Sequence, residues 1–173
     1  MNIGLRKLTL KDAKDIYENI NDPVVSRWTA LIPYPYPKDL AKKFIRSSQY
    51  QIKKEKSLIL GIELLENKKI IGVISLMHIN KIHKRAEIGY WLGKKYWGKG
   101  IMKQAVKEIL KIAFGEMKLH RVYAKVFEEN IASRKTVEKC GFQYEGLHKD
   151  SCFKNGKYRS VITYAILGNY SKD

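Results

Sequence analysis

Residues 86–102 read AEIGYWLGKKYWGKGIM, and the rhythm of the chain changes inside them. Up to Leu92 the stretch has the composition of a β-strand running from Arg85. From Ile101 the apolar residues recur about every 3.6 positions. Ile101, Ala105, Ile109, Ile112 and Ala113 fall on one helical face, with Gly115 as the expected C-cap. Gly98 and Gly100 lie between the two patterns, where a strand hands over to a helix. Backbone amides at such a junction are unpaired, and the helix dipole is positive there. Glycine lets the backbone come close to a ligand and take positive φ. The expected guest is a phosphate or pyrophosphate. A tight turn with no guest is the plain alternative.

Outward from this junction the chain alternates strands and helices. Ile3–Leu8 reads as a strand, and Thr9 as the N-cap, with Asp12 at N3, of a helix through about Asn19. Residues 31–37, LIPYPYP, form a proline-stiffened loop. Lys38–Lys53 follows as a helix. Leu58–Leu65, a turn at 66–68, and Ile70–Ile79 form a hairpin that leads into Arg85–Leu92. After the central helix, Val122, Ala124 and Val126 alternate with Tyr123, Lys125 and Phe127 in another strand. Asn130 opens a helix that Cys140-Gly141 closes, and a hairpin over Phe142–Leu167 ends the chain. Strand, helix and strand across 85–127 make a crossover, so those two strands should run parallel. The hairpins elsewhere are antiparallel. The result is a mixed sheet with helices packed on it.

The 173 residues suit one domain with a real core. Apolar residues make up 45% of the chain, too many for a disordered protein. No apolar run reaches the roughly 18 residues of a membrane span. The start, MNIGLRKLTL, carries no signal-peptide block, so a cytoplasmic protein is expected. Cys140 and Cys152 have neither metal-site nor disulfide-framework spacing. They read as two reduced thiols, and no metal is expected. Lys and Arg number 34 against 17 Asp and Glu, a net charge of +17. Such a field draws nucleic acid, an acidic protein face or a phosphorylated cofactor. The lysines are scattered rather than blocked, however, and genome base composition or heat adaptation explains the surplus as well.

Two common nucleotide motifs fail. The P-loop pattern is absent, and Lys103 stands where a dinucleotide-binding loop needs its third small residue. The pattern that fits is [Q/R]-x-x-G-x-[G/A], here Lys95-Tyr96-Trp97-Gly98-Lys99-Gly100, with Lys95 replacing Gln or Arg. With it the sequence resembles the GNAT superfamily of acyl-CoA N-acetyltransferases. Residues 86–102 look like that fold's fourth strand, pyrophosphate loop and third helix. NIASRKTVEKCGFQYEG (130–146) looks like the next helix and strand. Tyr90-Trp91-Leu92, Ala132-Ser133 and Glu145-Gly146 look most like the RimJ/RimL group, which acetylates N-termini of ribosomal proteins.

The resemblance implies an α+β domain over 1–173, with a mostly antiparallel sheet of about seven strands and about four helices. Acetyl-CoA is the implied acetyl donor. Amides from Trp97 through Gly98, Lys99, Gly100, Ile101 and Met102 would cradle its pyrophosphate, with Lys95, Lys99 and Lys103 adding charge or remaining surface cations. Its pantetheine arm would enter a gap where the Arg85–Leu92 strand splays from the next, pairing with backbone at Tyr90, Trp91 and Leu92. Gly89 suits a bulge that starts the splay. Asn130 is either a helix N-cap or a pantetheine ligand. Ser133 is either a first-turn serine or the donor of a proton to the departing thiolate. Arg134 reaches the 3′-phosphate or only solvent. Glu87 is the candidate base that takes the amine's proton, or else a partner of Lys84 or Arg85. Some members carry a carboxylate on the last hairpin. Here that position falls near Cys152, and Asp150 lies two residues away, on the same face by period two. Trp28, Tyr34 and Tyr36 are candidates to line the acceptor groove. The expected acceptor is a protein N-terminus, with ribosome association and a homodimer implied by resemblance alone. A small amine (polyamine, antibiotic or amino acid) and a non-catalytic acyl-CoA sensor or RNA-associated protein are the alternatives.

Overall fold

The computed structural model describes residues 1–168. A seven-stranded sheet in the order β1-β2-β3-β4-β5-β7-β6 runs through it. The strands are β1 (Ile3–Lys7), β2 (Leu58–Leu64), β3 (Ile70–Asn80), β4 (Arg85–Leu92), β5 (Arg121–Phe127), β6 (Gln143–Lys154) and β7 (Lys157–Leu167). The helices are α1 (Ala13–Ile20), α2 (Pro23–Arg27), α3 (Lys38–Lys53), α4 (Ile101–Lys111) and α5 (Ile131–Glu138). Only β4 and β5 pair in parallel, as the crossover through α4 requires.

Helices cover both faces. The stripe Ile101, Ala105 and Ile109 of α4, continued by Ala113 just beyond it, is buried against Ala86, Ile88, Val122, Ala124 and Val126 of β4 and β5. Each buried isoleucine there stabilises the fold by about 2 kcal/mol. On the other face, Ile16, Ile20, Val25 and Ile45 pack on Ile70, Val73 and Trp91.

Several local readings need correction. The residues after Thr9 form a 3₁₀ turn, Leu10–Asp12, before α1 begins. Asp12 accepts from the Thr9 amide at 2.7 Å and from the Arg6 guanidinium at 2.8 Å. Burial is the largest single influence on this carboxyl and pushes it up, but the bonds from Arg6 and Thr9 together outweigh it and hold it below the usual carboxylate range. Helix α2 was not expected. Asp22 caps it through the Val24 and Val25 amides, and Pro23 sits at its first position. Gly115 does not end the central helix. A wide π turn over Ile112–Glu116 prolongs it, with the Met117 amide bonded to the Ile112 carbonyl at 2.9 Å, and Lys118 takes the positive φ instead.

Strands β4 and β5 pair from Arg85/Arg121 to Ile88/Ala124 and no further. Beyond that point β4 stays on β3 through Leu92, and β5 stays on β7 through Phe127. The two middle strands therefore diverge, and the β5-facing edge of β4 from Gly89 to Leu92 has no strand partner. The divergence needs no bulge at Gly89. Its register with Ser75 is continuous, and the irregularity lies between Met77 and Asn80.

Candidate active site

The turn before α4 is open. Gly98 and Gly100 have φ of +72° and +73°, and a Cβ built on either would meet nothing within 4 Å. Gly100 is the N-cap of α4, and the first bond into the helix runs from Gln104 to its carbonyl. The backbone amides of residues 98–103 have no hydrogen-bond partner among the described residues. The cradle starts one residue later than expected, because the Trp97 amide already bonds the Lys94 carbonyl at 3.1 Å. The Trp97 indole donates to the Leu92 carbonyl at 2.7 Å and pins the loop to the end of β4. Consecutive free amides at the positive end of a helix fit a diphosphate.

A cleft of about 480 Å³ runs from this turn into the strand gap. Trp91, Leu92, Trp97, Gly98, Gly100, Ile101 and Met102 line it. Its cations are Lys103, Lys135 and Lys139, the last two at i, i+4 on and just past α5. Lys95 and Lys99 do not line it; their ammonium groups sit 5.1 and 5.8 Å from the Tyr96 ring centre. Arg134 does not reach the cleft either. It donates to the Tyr164 hydroxyl and the Glu128 carbonyl, both at 3.1 Å.

A second cavity of about 430 Å³ opens on the other side of the gap. Glu87, Gly89, Lys125, Phe127, His148 and Cys152 are among its walls. Trp28, Tyr90, Asn130 and Ser133 line both cavities and form the passage between them. Asn130 caps α5 by accepting from the Ser133 amide at 3.1 Å, while its Nδ2 has no protein partner among the described residues. The Tyr90 hydroxyl lies 2.8 Å from Ser133 Oγ. Burial, the main cause, pushes the Tyr90 phenol up to about 12, so it remains a proton donor throughout the neutral range.

Glu87 is half-buried at the mouth of the second cavity. Its ionic neighbour is Lys125, 3.6 Å away, rather than Lys84 or Arg85. Burial first, and then the adjacent Glu87 carboxylate, raise the Tyr123 phenol above its ordinary value.

Three acceptor-side expectations fail geometrically. Tyr36 is core: its ring is buried beside α1 and α3, and burial pushes its phenol up to about 12. Tyr34 is exposed and lines neither cavity. Asp150 sits at φ +49° where β6 loses register with β7 between His148 and Cys152. That bulge breaks the period-two count and leaves Asp150 exposed and outside both cavities. His148, still in register with Val161 before that bulge, lines the second cavity, and its Nε2 lies 3.0 Å from Thr163 Oγ1.

Replacing Tyr90 with Phe should lower kcat about tenfold, with little change in acetyl-CoA affinity, because one hydrogen bond to Ser133 is lost while the cradle stays intact. Steady-state kinetics alongside calorimetric CoA binding checks this.

Amide cradle, strand gap and carboxylate-bearing cavity follow one path through the fold. That layout suits a phosphorylated thioester carrier whose acyl end meets an amine, the arrangement of acyl-CoA-dependent N-acyltransferases. The acetyltransferase (GNAT) domain profile matches residues 2–143, and the chain belongs to that family. It is an acetyl-CoA-dependent N-acetyltransferase. It is 31% identical over 170 residues, 96% of this chain and 91% of the other, to a Bacillus subtilis (strain 168) protein with the provisional name ribosomal N-acetyltransferase YdaF. It is 27% identical over 166 residues, 96% and 86% of the two chains, to the spermidine N(1)-acetyltransferase of Escherichia coli K12. Among solved structures it resembles the microcin C7 self-immunity acetyltransferase MccE in complex with acetyl-CoA and AMP. The TM-score is 0.86 and the identity 31%, covering 95% of this chain and 92% of that one.

Proposed function

We propose that this single-domain enzyme acetylates the N-terminal α-amine of a protein or peptide, with ribosomal proteins as the first substrates to try. The observation that carries the reading is the passage at Tyr90, Asn130 and Ser133, which joins the cofactor cleft to a cavity holding one carboxylate, Glu87. A polyamine groove would need several free carboxylates. The acidic residues of the 12–39 stretch line neither cavity and have partners, Glu18 facing Lys14 at 3.8 Å. Asp12 is bound by Arg6, Asp15 accepts from the Ile70 amide, Asp22 caps α2, and Asp39 pairs with Lys43. The resemblance to the RimJ/RimL group and the name of the Bacillus subtilis relative point the same way. A cytoplasmic location and a homodimer belong to this reading. Among the described residues no helix is long and apolar enough to cross a membrane.

Bound acetyl-CoA supplies the activated acetyl group. The amides of residues 98–103 hold the diphosphate, and Lys103, Lys135 and Lys139 supply positive charge beside it. Glu87 takes one proton from the acceptor ammonium, which frees the nitrogen lone pair. As the new C–N bond forms and the C–S bond breaks, Ser133 gives a proton to the departing sulfur. Tyr90, 2.8 Å away, supports it. The second amine proton, lost as the amide forms, returns to Ser133 through the solvent-open cavity. Glu87 releases its own proton to water.

Thiol release from acetyl-CoA, measured with peptides bearing free or blocked N-termini and with spermidine, tests the reading. Acetylation at the α-amine supports it. Turnover on spermidine alone, or on lysine side chains alone, overturns it. CoA binding without turnover on any amine would mark a sensor instead.

A further inference from the structure

We propose that Lys125 makes the acceptor cavity selective for amines carrying an anionic group close to the reacting nitrogen. The inference rests on the transferase reading above and names the chemistry of its acceptor. Strand β5 alternates, so Lys125 shares the open face of the sheet with Tyr123 and Phe127, opposite the buried Val122, Ala124 and Val126. Its side chain lines the acceptor cavity, and its one ion contact among the described residues is Glu87, at 3.6 Å. Glu87 is the only carboxylate among the cavity's described walls, whereas Lys125 and His148 both stand there as potential cations. Arg159 lies behind the same walls, 5.0 Å from the Phe127 ring and 5.8 Å from Trp28, but it is bound to the Arg27 carbonyl and faces Glu129 at 3.9 Å. Lys125 is thus the cation whose partner the reaction removes.

Once Glu87 accepts the amine's proton it is neutral, and Lys125 loses its counter-charge. A carboxylate on the next residue of a peptide, or a phosphate at the far end of a two-carbon amine, restores the balance at the moment nitrogen attacks. A second cation in the acceptor has the opposite effect. The gain is therefore larger in the transition state than in the ground state and appears in kcat more than in KM. The surplus of +17 adds a long-range field of the same sign preference. Lys125 is about half exposed, with 54% of its side chain accessible, so solvent moderates the effect.

Two acceptor sets separate the sources of such an anion. One contains peptides that begin Ser-Asp, Ser-Asn or Ser-Arg and are otherwise identical. The other contains 2-aminoethyl phosphate, ethanolamine and 2-aminoethyl-trimethylammonium. In at least one set, kcat/KM should favour the anionic acceptor over its neutral match by about fivefold at low salt, and the preference should shrink as salt rises. The set that shows it identifies a peptide or a small-molecule acceptor. Lys125→Ala should bring the anionic-to-neutral ratio near one. Lys125→Glu should place the cationic acceptor first. Reading a ratio within each variant cancels any change in Glu87 itself. A wild-type enzyme that is blind to acceptor charge or prefers the cation, or a Lys125→Glu variant with an unchanged order, overturns the proposal while leaving the transferase reading intact. Absence of thiol release with all six acceptors overturns both.

Discussion

Gly98→Asp and Gly100→Asp should each weaken CoA binding by a factor on the order of 10² or more, while the fold survives. Neither substitution meets a steric obstacle, because the space around both positions is empty to 4 Å. The backbone strain is modest. At φ near +70° aspartate is among the better-tolerated non-glycine residues, costing about 1 kcal/mol. At Gly100 the new side chain also stands at the N-cap of α4, where carboxylates stabilise helices. That stabilisation would defeat the function. The carboxylate would bond the same Met102 and Lys103 amides that the diphosphate needs, and it would bring negative charge against a ligand of like sign. Calorimetric titration with CoA, paired with a thermal melt, checks the separation. Melting points within a few degrees of the parent are expected alongside the lost affinity. Undiminished affinity in both variants would show that the cradle is not the anchor of the cofactor.

The same geometry explains what the sequence could and could not reveal. The 86–102 stretch was legible because each of its signals is local. Alternation, a glycine pair and a 3.6-residue stripe follow one another within a single crossover, and the parallel β4–β5 pair results. The divergence of those strands was foreseen in place but not in cause, since it arises from what β4 and β5 pair with on their outer sides. Helix α2 carried a readable start, Asp22-Pro23, yet five residues are too few to show a period. The failures on the acceptor side are long-range. Nothing near Tyr36 in sequence reveals that α1 and α3 close over it. The Tyr90–Ser133 contact joins residues 43 positions apart. Arg134 is drawn off by Tyr164, which lies two strands later in the chain. Asp150 leaves the cavity face that His148 and Cys152 keep because one bulge in β6 shifts the alternation between them. Lys135 and Lys139 were the accessible omission, as their four-residue spacing already placed them on one side of the chain beyond Asn130.

Replacing Glu87 with Gln should reduce kcat/KM for a primary amine by about 10²–10³ at neutral pH, and the deficit should shrink as pH rises. The side chain keeps its shape, so the loss reports proton acceptance rather than packing. Near neutrality most acceptor amines are ammonium ions, and with Glu87 as base the parent enzyme would strip the proton inside the cavity. The variant must wait for the small fraction that is already neutral in solution. That fraction grows about tenfold per pH unit below the amine's own pKa, so the variant's rate should climb with a slope near one while the parent's profile is flatter. Substituting an acceptor with a lower amine pKa should rescue the variant at neutral pH for the same reason. Lys125 sharpens the comparison. With a neutral glutamine beside it, the ammonium 3.6 Å away is unpaired even before the amine arrives. It should then hold an anionic acceptor more tightly in the ground state, lowering KM for that acceptor while kcat stays depressed. Parallel pH profiles for parent and variant would move the base to a water chain and leave Glu87 as the partner of Lys125.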